Sequence, residues 1–400
     1  MDERARVSKA VEVAEAAGKR GWMVAPPDGL RRERWWVMGD PQGSLRRVLG
    51  GLGDAGLLGE DGRLRPEVGL VSMGDHFDYK LEEGMTVADA ARQGEALLTW
   101  LASHPPDQVV LLGGNHDLAR VMELAGISDA AWAEARALGH RVEELDAQSP
   151  VRAALAAEFH ARFPDVPTAD LARRDLQSFT VTQRSLVRAL LLHGRMRLAA
   201  VGRLPGGGTE VLLTHAGVTQ RELRMLGLSE GAGARQVAEA LQQLLAEAVA
   251  RVAAGWMAGG TAPLSLHPLN VTGRTRQEGG GLLHHRPALK ASEKDPDWCF
   301  RAESPRRFEP HALPPGLVQV AGHVSHRRCV TGLGHLVDDA SRAVERASVR
   351  TLSVAGQGGG SYRVGLHPPA EGAATLYLVD PSFSEFEETA FEWLTLGGVT

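Results

Sequence analysis

Short apolar runs, each stopped by a polar cluster, recur along the chain and set its expected architecture. Arg34-Trp35-Trp36-Val37-Met38, Val68-Gly69-Leu70-Val71-Ser72-Met73, Gln108-Val109-Val110-Leu111-Leu112, Glu210-Val211-Leu212-Leu213-Thr214 and Leu317-Val318-Gln319-Val320-Ala321 have strand length and predict buried strands. Between them the spacing turns helical. Residues 7–17 predict a short N-terminal helix, broken by Pro26-Pro27-Asp28-Gly29. Leu45, Val48, Leu49 and Leu52 define one helix face behind a Ser44 cap, and Ala96, Leu97, Trp100 and Leu101 define another within 87–103. Val237, Leu241, Leu244, Leu245, Ala248 and Val252 form a packing stripe on a later helix. Four runs in the tail (351–354, 362–366, 375–379 and 390–396) predict strands that finish a sheet.

The alternation predicts an α/β protein. Roughly 80 mostly helical residues, 118–197, separate the third and fourth strands, more than a crossover requires. They predict a helical insertion or lid. A second insertion spans about 219–315, and its later part, 261–315, is an irregular Pro-, Gly-, His- and Arg-rich segment expected over the site. The expected organisation is an N-terminal helical extension over 1–30, then one large domain over 31–400. Gly51-Leu52-Gly53-Asp54-Ala55-Gly56 matches a dinucleotide-binding pattern, but it ends a helix instead of joining a strand to one, so no nucleotide fold is inferred.

Composition narrows the setting. A net charge of −5 argues against a nucleic-acid-coating or membrane-surface protein. The two cysteines, Cys299 and Cys329, cannot build a disulfide framework, which suits a reducing compartment. No signal-like apolar stretch opens the chain, and no run approaches the roughly 18 residues of a membrane span. A cytoplasmic protein without membrane or nucleic-acid partners is expected.

The polar clusters that follow the strands carry the chemistry. They are Gly39-Asp40-Pro41-Gln42-Gly43, Gly74-Asp75-His76-Phe77-Asp78, Gly113-Gly114-Asn115-His116-Asp117, Thr214-His215-Ala216-Gly217 and Gly322-His323-Val324-Ser325-His326. Carboxylates, amide oxygens and imidazoles gathered at the carboxyl edge of a sheet suit a pair of divalent cations. Such a pair, about 3.5–4 Å apart, neutralises phosphoryl oxygens and acidifies a bridging water. Asp75 is the expected bridge, Asp40 and Gln42 the ligands of the first metal, and Asn115, His215 and His323 those of the second. His116 is the expected general acid, oriented by Asp78.

In order and content these clusters resemble the calcineurin-like metallophosphoesterase superfamily. The branch they most resemble is the phosphoprotein phosphatase family, particularly the bacterial Shewanella-like type, on Gly39-Asp40, Leu45 to Leu58 with Gly59-Glu60-Asp61-Gly62-Arg63, Met73 to Asp78, Gly114 to Asp117 and His215-Ala216-Gly217. The resemblance implies a four-layer α/β/β/α sandwich and a dimetal centre of Mn, Fe or Zn. Gln42 stands where the family usually has a histidine, which favours Mn²⁺ over Zn²⁺. Tyr79 stands where phosphoprotein phosphatases place a phosphate-clamping arginine. Lys80 is a partial substitute. Arg286, in Gly281-Leu282-Leu283-His284-His285-Arg286-Pro287, is similar to a family arginine that contacts phosphate, with Arg301, Arg306, Arg307 and Arg327 as alternates. His326 is a possible extra metal ligand. The expected activity is dimetal-dependent hydrolysis of phosphate monoesters, on a phosphoprotein or a small phosphorylated metabolite, by a metal-bridging hydroxide. Two other functions suit the same residues: nucleotide anhydride or phosphodiester hydrolysis, and a degenerate non-catalytic binding protein of the same fold.

Overall fold

The computed structural model describes residues 2–206, 208–274, 277–289, 305–346, 348–355, 359–381 and 391–400, and its apolar runs pair into two principal sheets. In the first half lie β1 (Arg34–Met38), β2 (Val68–Ser72), β3 (Val109–Leu112) and β4 (Met196–Arg197). Then come β5 (Ala199–Arg203), β6 (Glu210–Thr214) and four two-residue strands, β7 (Asn270–Val271), β8 (Gly280–Gly281), β9 (Arg286–Pro287) and β10 (Arg307–Phe308). The tail adds β11 (Val318–Ala321), β12 (Arg350–Val354), β13 (Gly360–Val364), β14 (Ala374–Leu378) and β15 (Leu394–Leu396). One sheet runs β15-β1-β2-β3-β4, parallel except for β15, and the other β13-β12-β14-β11-β6-β5, with β14, β11 and β6 parallel. The protein is a mixed α/β fold.

Alternation along each strand divides its side chains between two cores. Val37, Val71, Met73, Val110 and Leu112 of the first sheet meet Val211, Leu213, Val320 and Tyr377 of the second, so the sheets pack face to face. The helices are α1 (Glu3–Arg20), α2 (Leu45–Asp54), α3 (Val87–Ala102), α4 (Asn115–Ala119), α5 (Asp129–Glu143), α6 (Pro150–Arg162), α7 (Val181–Leu192), α8 (Gln220–Met225), α9 (Ala234–Met257), α10 (His326–Leu333) and α11 (Asp339–Ala343). Several of them, α2, α3, α7 and α9 among them, cover the outer faces of the sheets. Leu70, Val109 and Leu111 face Val48 and Leu49 of α2, Leu97 and Leu101 of α3, and Leu190 of α7. Capping boxes start α3 (Thr86 with Asp89) and α7 (Thr180 with Gln183), satisfying backbone donors that a helix end leaves open.

Several expectations change. The N-terminal helix is not an extension: Val7, Ala10 and Ala14 bury it against the main helical layer. Stretch 118–197 divides in two. Its first part is a lobe with its own small core of Leu124, Trp132, Leu138, Phe159, Phe163 and Leu176. Its second part, α7, belongs to the main core through Val187, Leu190 and Leu191. Helix α9, expected within an insertion, covers β5 and β6 through Val237, Leu241, Leu245 and Ala248. Strand β5 had no expected counterpart; its Ala-Ala-Val-Gly-Arg sequence is short and only weakly apolar. Ser44 occupies the N-cap of α2 without a side-chain cap bond. Gln93 of α3 does that job, accepting from the Leu45 N–H at 2.9 Å. Residues 51–56 end α2, as the pattern implied.

Candidate metal centre and acid dyad

Strands β1, β2 and β3 run parallel in one sheet and β6 and β11 in the other, and the loops that follow them meet at one rim. Their polar clusters therefore share that rim, with a carboxylate, imidazole or amide at each strand end. Asp40, Asp75, His215 and His323 are all buried, and each offers a ligand atom within 4.8 Å of the others, so this cluster can hold a metal ion. The glycines in these loops permit the approach. A Cβ on Gly114 would lie 2.1 Å from Asp75 Oδ1, and one on Gly322 would lie 2.1 Å from Asp40 Oδ1. Among the described non-glycine residues, positive φ occurs at Asp75 (56°), Asp78 (62°) and His323 (62°). Left-handed backbone is costly for such residues and is tolerated where surrounding contacts over-determine it, as they do here.

Donor chemistry fits a cation. His215 Nδ1 lies 2.9 Å from the Met73 carbonyl, which makes it the donor and leaves Nε2 with a lone pair. That Nε2 faces Asn115 Oδ1 at 3.1 Å, His323 Nδ1 at 3.2 Å and Asp75 Oδ2 at 3.5 Å. Lone pairs converging so closely repel unless a proton or cation sits among them. Donor atoms about 2.0–2.2 Å from one ion lie about 3.0–3.6 Å apart, the spacing found. Asp40 accepts the His323 N–H on both oxygens, at 3.0 and 2.9 Å. Burial, then the neighbouring Asp380 and Asp75, push its carboxyl well above the usual range. Buried His323 Nε2 has no hydrogen-bond partner among the described residues. Half-buried Gln42 donates through Nε2 to the Phe77 carbonyl at 3.3 Å, which orients its amide beside the Asp75 loop.

His116, at the start of α4, stands next to this cluster. Its N–H donates to Asp75 Oδ1 at 2.9 Å, its Nδ1 lies 3.2 Å from Asp78 Oδ2, and its Nε2 is 3.9 Å from Asp75 Oδ2. Burial opposes a charge on the imidazole, but Asp75 and Asp78 outweigh it and raise the group to about 9. Burial opposes the Asp78 charge as well, yet Arg120, with His116 and Ser178, holds that carboxyl down at about 2. The dyad is thus an imidazole joined through Nδ1 to a carboxylate.

Sequence reasoning gave no role to the residues that hold these groups in place. Asp117 accepts the N–H groups of Asp75 (2.8 Å), His76 (3.0 Å) and Gly114 (2.9 Å), tying two site loops together. His76 braces it, with Nδ1 at 3.1 Å from Asp117 and Nε2 at 2.9 Å from the Ser72 hydroxyl. Arg120 and Ser178 clamp Asp78. Asp117 and His76 lie within the polar clusters read from the sequence, whereas Arg120 and Ser178 lie outside them.

Other candidates fall outside the cluster. His326 is not a metal ligand: Nδ1 bonds the Tyr362 hydroxyl at 2.8 Å, and Nε2 meets the carbonyls of Ser341 (3.2 Å) and Val344 (3.0 Å). Both ring nitrogens are used, because α10 turns the residue inward against β13. Buried Tyr79 bonds Gln93 Oε1 at 3.1 Å, while Lys80 is exposed. Half-buried Arg286 lies in the field of Asp75: burial, then Arg328 and Arg306, push its guanidinium well down, and Asp175 and Asp75 pull the other way. Arg306 is ion-paired with Glu278 and lines a pocket shared with Asn115, His116 and His284. Arg307 is half-buried, Arg327 is exposed, and Arg301 lies outside the described residues, as does Cys299.

No protein-family model, curated protein or solved structure matches the chain. No helix among the described residues is long and apolar enough to cross a membrane.

Proposed function

We propose that the protein is a metal-dependent phosphomonoesterase. The observation that carries this reading is the meeting of Asp40, Asp75, His215 and His323 at one buried point. In this reading the two facing sheets with outer helices are the four-layer α/β/β/α sandwich of the calcineurin-like metallophosphoesterases. Asp40, Asp75, Asn115, His215 and His323 would hold divalent ions, with Gln42 completing the set through its amide oxygen. An oxygen- and imidazole-rich donor set favours Mn²⁺, with Fe or Zn as substitutes. Such ions, when bound, supply positive charge to the phosphoryl oxygens and make water more acidic.

The chain's own residues supply the rest. Arg286 would neutralise a phosphate dianion at the rim. As water attacks phosphorus and the ester P–O bond breaks, His116 Nε2 gives its proton to the departing oxygen. Asp78 on Nδ1 keeps that proton available at neutral pH. No covalent enzyme intermediate is needed.

Hydrolysis of p-nitrophenyl phosphate by purified protein, with and without added Mn²⁺, tests the reading. Metal-stimulated turnover that disappears in Asp75→Asn and His116→Ala is expected. Turnover unchanged in both variants, or absent with every divalent metal, overturns it. Relative rates on monoesters and diesters then fix the ester class.

A further inference from the structure

Asp78 is held more firmly than a partner for one imidazole requires. Its Oδ1 accepts both the N–H (2.9 Å) and the hydroxyl (2.7 Å) of Ser178, while Oδ2 accepts Arg120 Nη2 at 2.9 Å beside His116 Nδ1. Arg120 is itself completely enclosed. Its Nε donates to Gln183 Oε1 at 2.8 Å, its Nη1 donates to the His116 carbonyl, and its guanidinium lies 4.1 Å from the centre of the Phe77 ring. Gln183 is buried too, and its Nε2 donates to the Ala91 carbonyl at 3.3 Å. One buried relay thus runs from α3 through Gln183 and Arg120 to Asp78 and His116.

Ser178 comes from elsewhere. It lies where the helical lobe returns to the main body, just after the wide π-type turn of Leu171–Asp175. Its neighbour Gln177 donates to the Tyr79 carbonyl at 3.1 Å, and Phe179 packs edge-on against Trp132 of the lobe core, 5.6 Å between ring centres. The lobe therefore reaches the acid dyad through a short segment anchored at three successive residues.

Resting on the phosphomonoesterase reading, we propose that Arg120 and Ser178 are positioning residues through which docking of the helical lobe aims His116 Nε2–H at the leaving-group oxygen. An imidazole gripped by one hydrogen bond turns about its own bonds. Gripped by a carboxylate whose two oxygens are each fixed by separate donors, it does not. A misplacement of about 1 Å can reduce a rate by about 100-fold. The affected step is defined: the water oxygen bonds to phosphorus, the P–O bond to the leaving group breaks, and the departing oxygen takes the Nε2 proton. His116, then neutral, is reprotonated from solvent. Nitrophenolate leaves with little protonation, whereas an alkoxide needs it, so loss of aim must scale with the basicity of the leaving group.

The test compares kcat and KM of the full-length, Mn²⁺-loaded protein on p-nitrophenyl, phenyl and butyl phosphate. In Ser178→Ala the kcat loss is expected to grow along that series to about 10-fold or more on butyl phosphate, with KM and bound Mn²⁺ as in the wild type. Arg120→Lys, which keeps the charge, is expected to retain more alkyl activity than Arg120→Gln. Equal losses on all three esters, or a change confined to KM, overturn the proposal. Arg120 variants can fail to fold, so Ser178→Ala, which removes a single hydroxyl, decides.

A second readout needs no turnover. In ¹⁵N-histidine spectra, a slowly exchanging Nδ1–H signal of His116, identified by its absence in His116→Ala, is expected in the wild type and lost in Ser178→Ala. Its persistence in Ser178→Ala overturns the positioning role. Should the wild type hydrolyse none of the esters, the phosphomonoesterase reading fails, and this signal alone decides whether the lobe fixes the imidazole.

Discussion

At Asp75 backbone and side chain are committed to one purpose: φ is 56°, Oδ1 accepts from His116, and Oδ2 points at His215. Asp75→Asn keeps the shape and removes the charge, so bound Mn²⁺ is expected to fall at least about tenfold, as metal analysis after gel filtration would show. Gly114→Ala touches no donor atom yet puts a Cβ 2.1 Å from Asp75 Oδ1, and the same loss is expected. His326→Gln is expected to leave metal content unchanged and to lower stability by about 1–3 kcal/mol through its buried partners, measured by urea unfolding. The donors were legible because each occupies a short polar cluster after an apolar run. The residues that brace them were not. Ser178 reaches Asp78 across 100 positions, and a residue whose role is to hold another has no spacing of its own.

Elements carry a different kind of information. Strands β1, β2, β3, β6 and β11 were legible because burial on both faces makes them continuously apolar. The partition of the helices was not, because a helix packed on the main layer and one packed in a side lobe both show one apolar stripe. The lobe's separate core predicts separate stability. Phe159→Ala is expected to cost about 3–5 kcal/mol, and hydrogen exchange should show lobe amides opening while those of β2 and β3 stay protected. Helix α3 adds a pH response through its C-terminal neighbour His104. There Nδ1 donates to the Trp100 carbonyl (2.8 Å) and Nε2 accepts the Leu64 N–H (3.1 Å), so the ring has no place for a second proton. Burial, then Arg63, depresses the imidazole to about 3. Below its ordinary value of about 6.5 the unfolded chain takes up a proton that the folded chain refuses. This contribution is therefore complete above about pH 6.5 and is lost as pH falls towards about 3, by up to about 1.4 kcal/mol per pH unit. Urea midpoints from pH 7 to pH 5 are expected to drop more steeply in the wild type than in His104→Gln, whose amide can donate and accept without titrating.

For the whole molecule, the site joins both halves of the chain, since Asp40, Asp75 and Asn115 come from one sheet and His215 and His323 from the other. A ligand that binds only the assembled state stabilises it by mass action, about 2.7 kcal/mol at a concentration 100 times Kd. Mn²⁺ is thus expected to raise the melting temperature, and EDTA to reverse the rise, in calorimetry. Asp75→Asn should not respond. Residues 394–400 form a second link between the halves. β15 pairs with β1 in one sheet, while Thr400 exchanges backbone hydrogen bonds with Val201 of β5 in the other. While a ribosome is still making the chain, β1 has only β2 beside it. Its free edge, which carries Trp35 and Trp36, stays exposed to other nascent chains until β15 has been translated. A clone lacking 394–400 should therefore accumulate in inclusion bodies even though every residue of the metal cluster is intact.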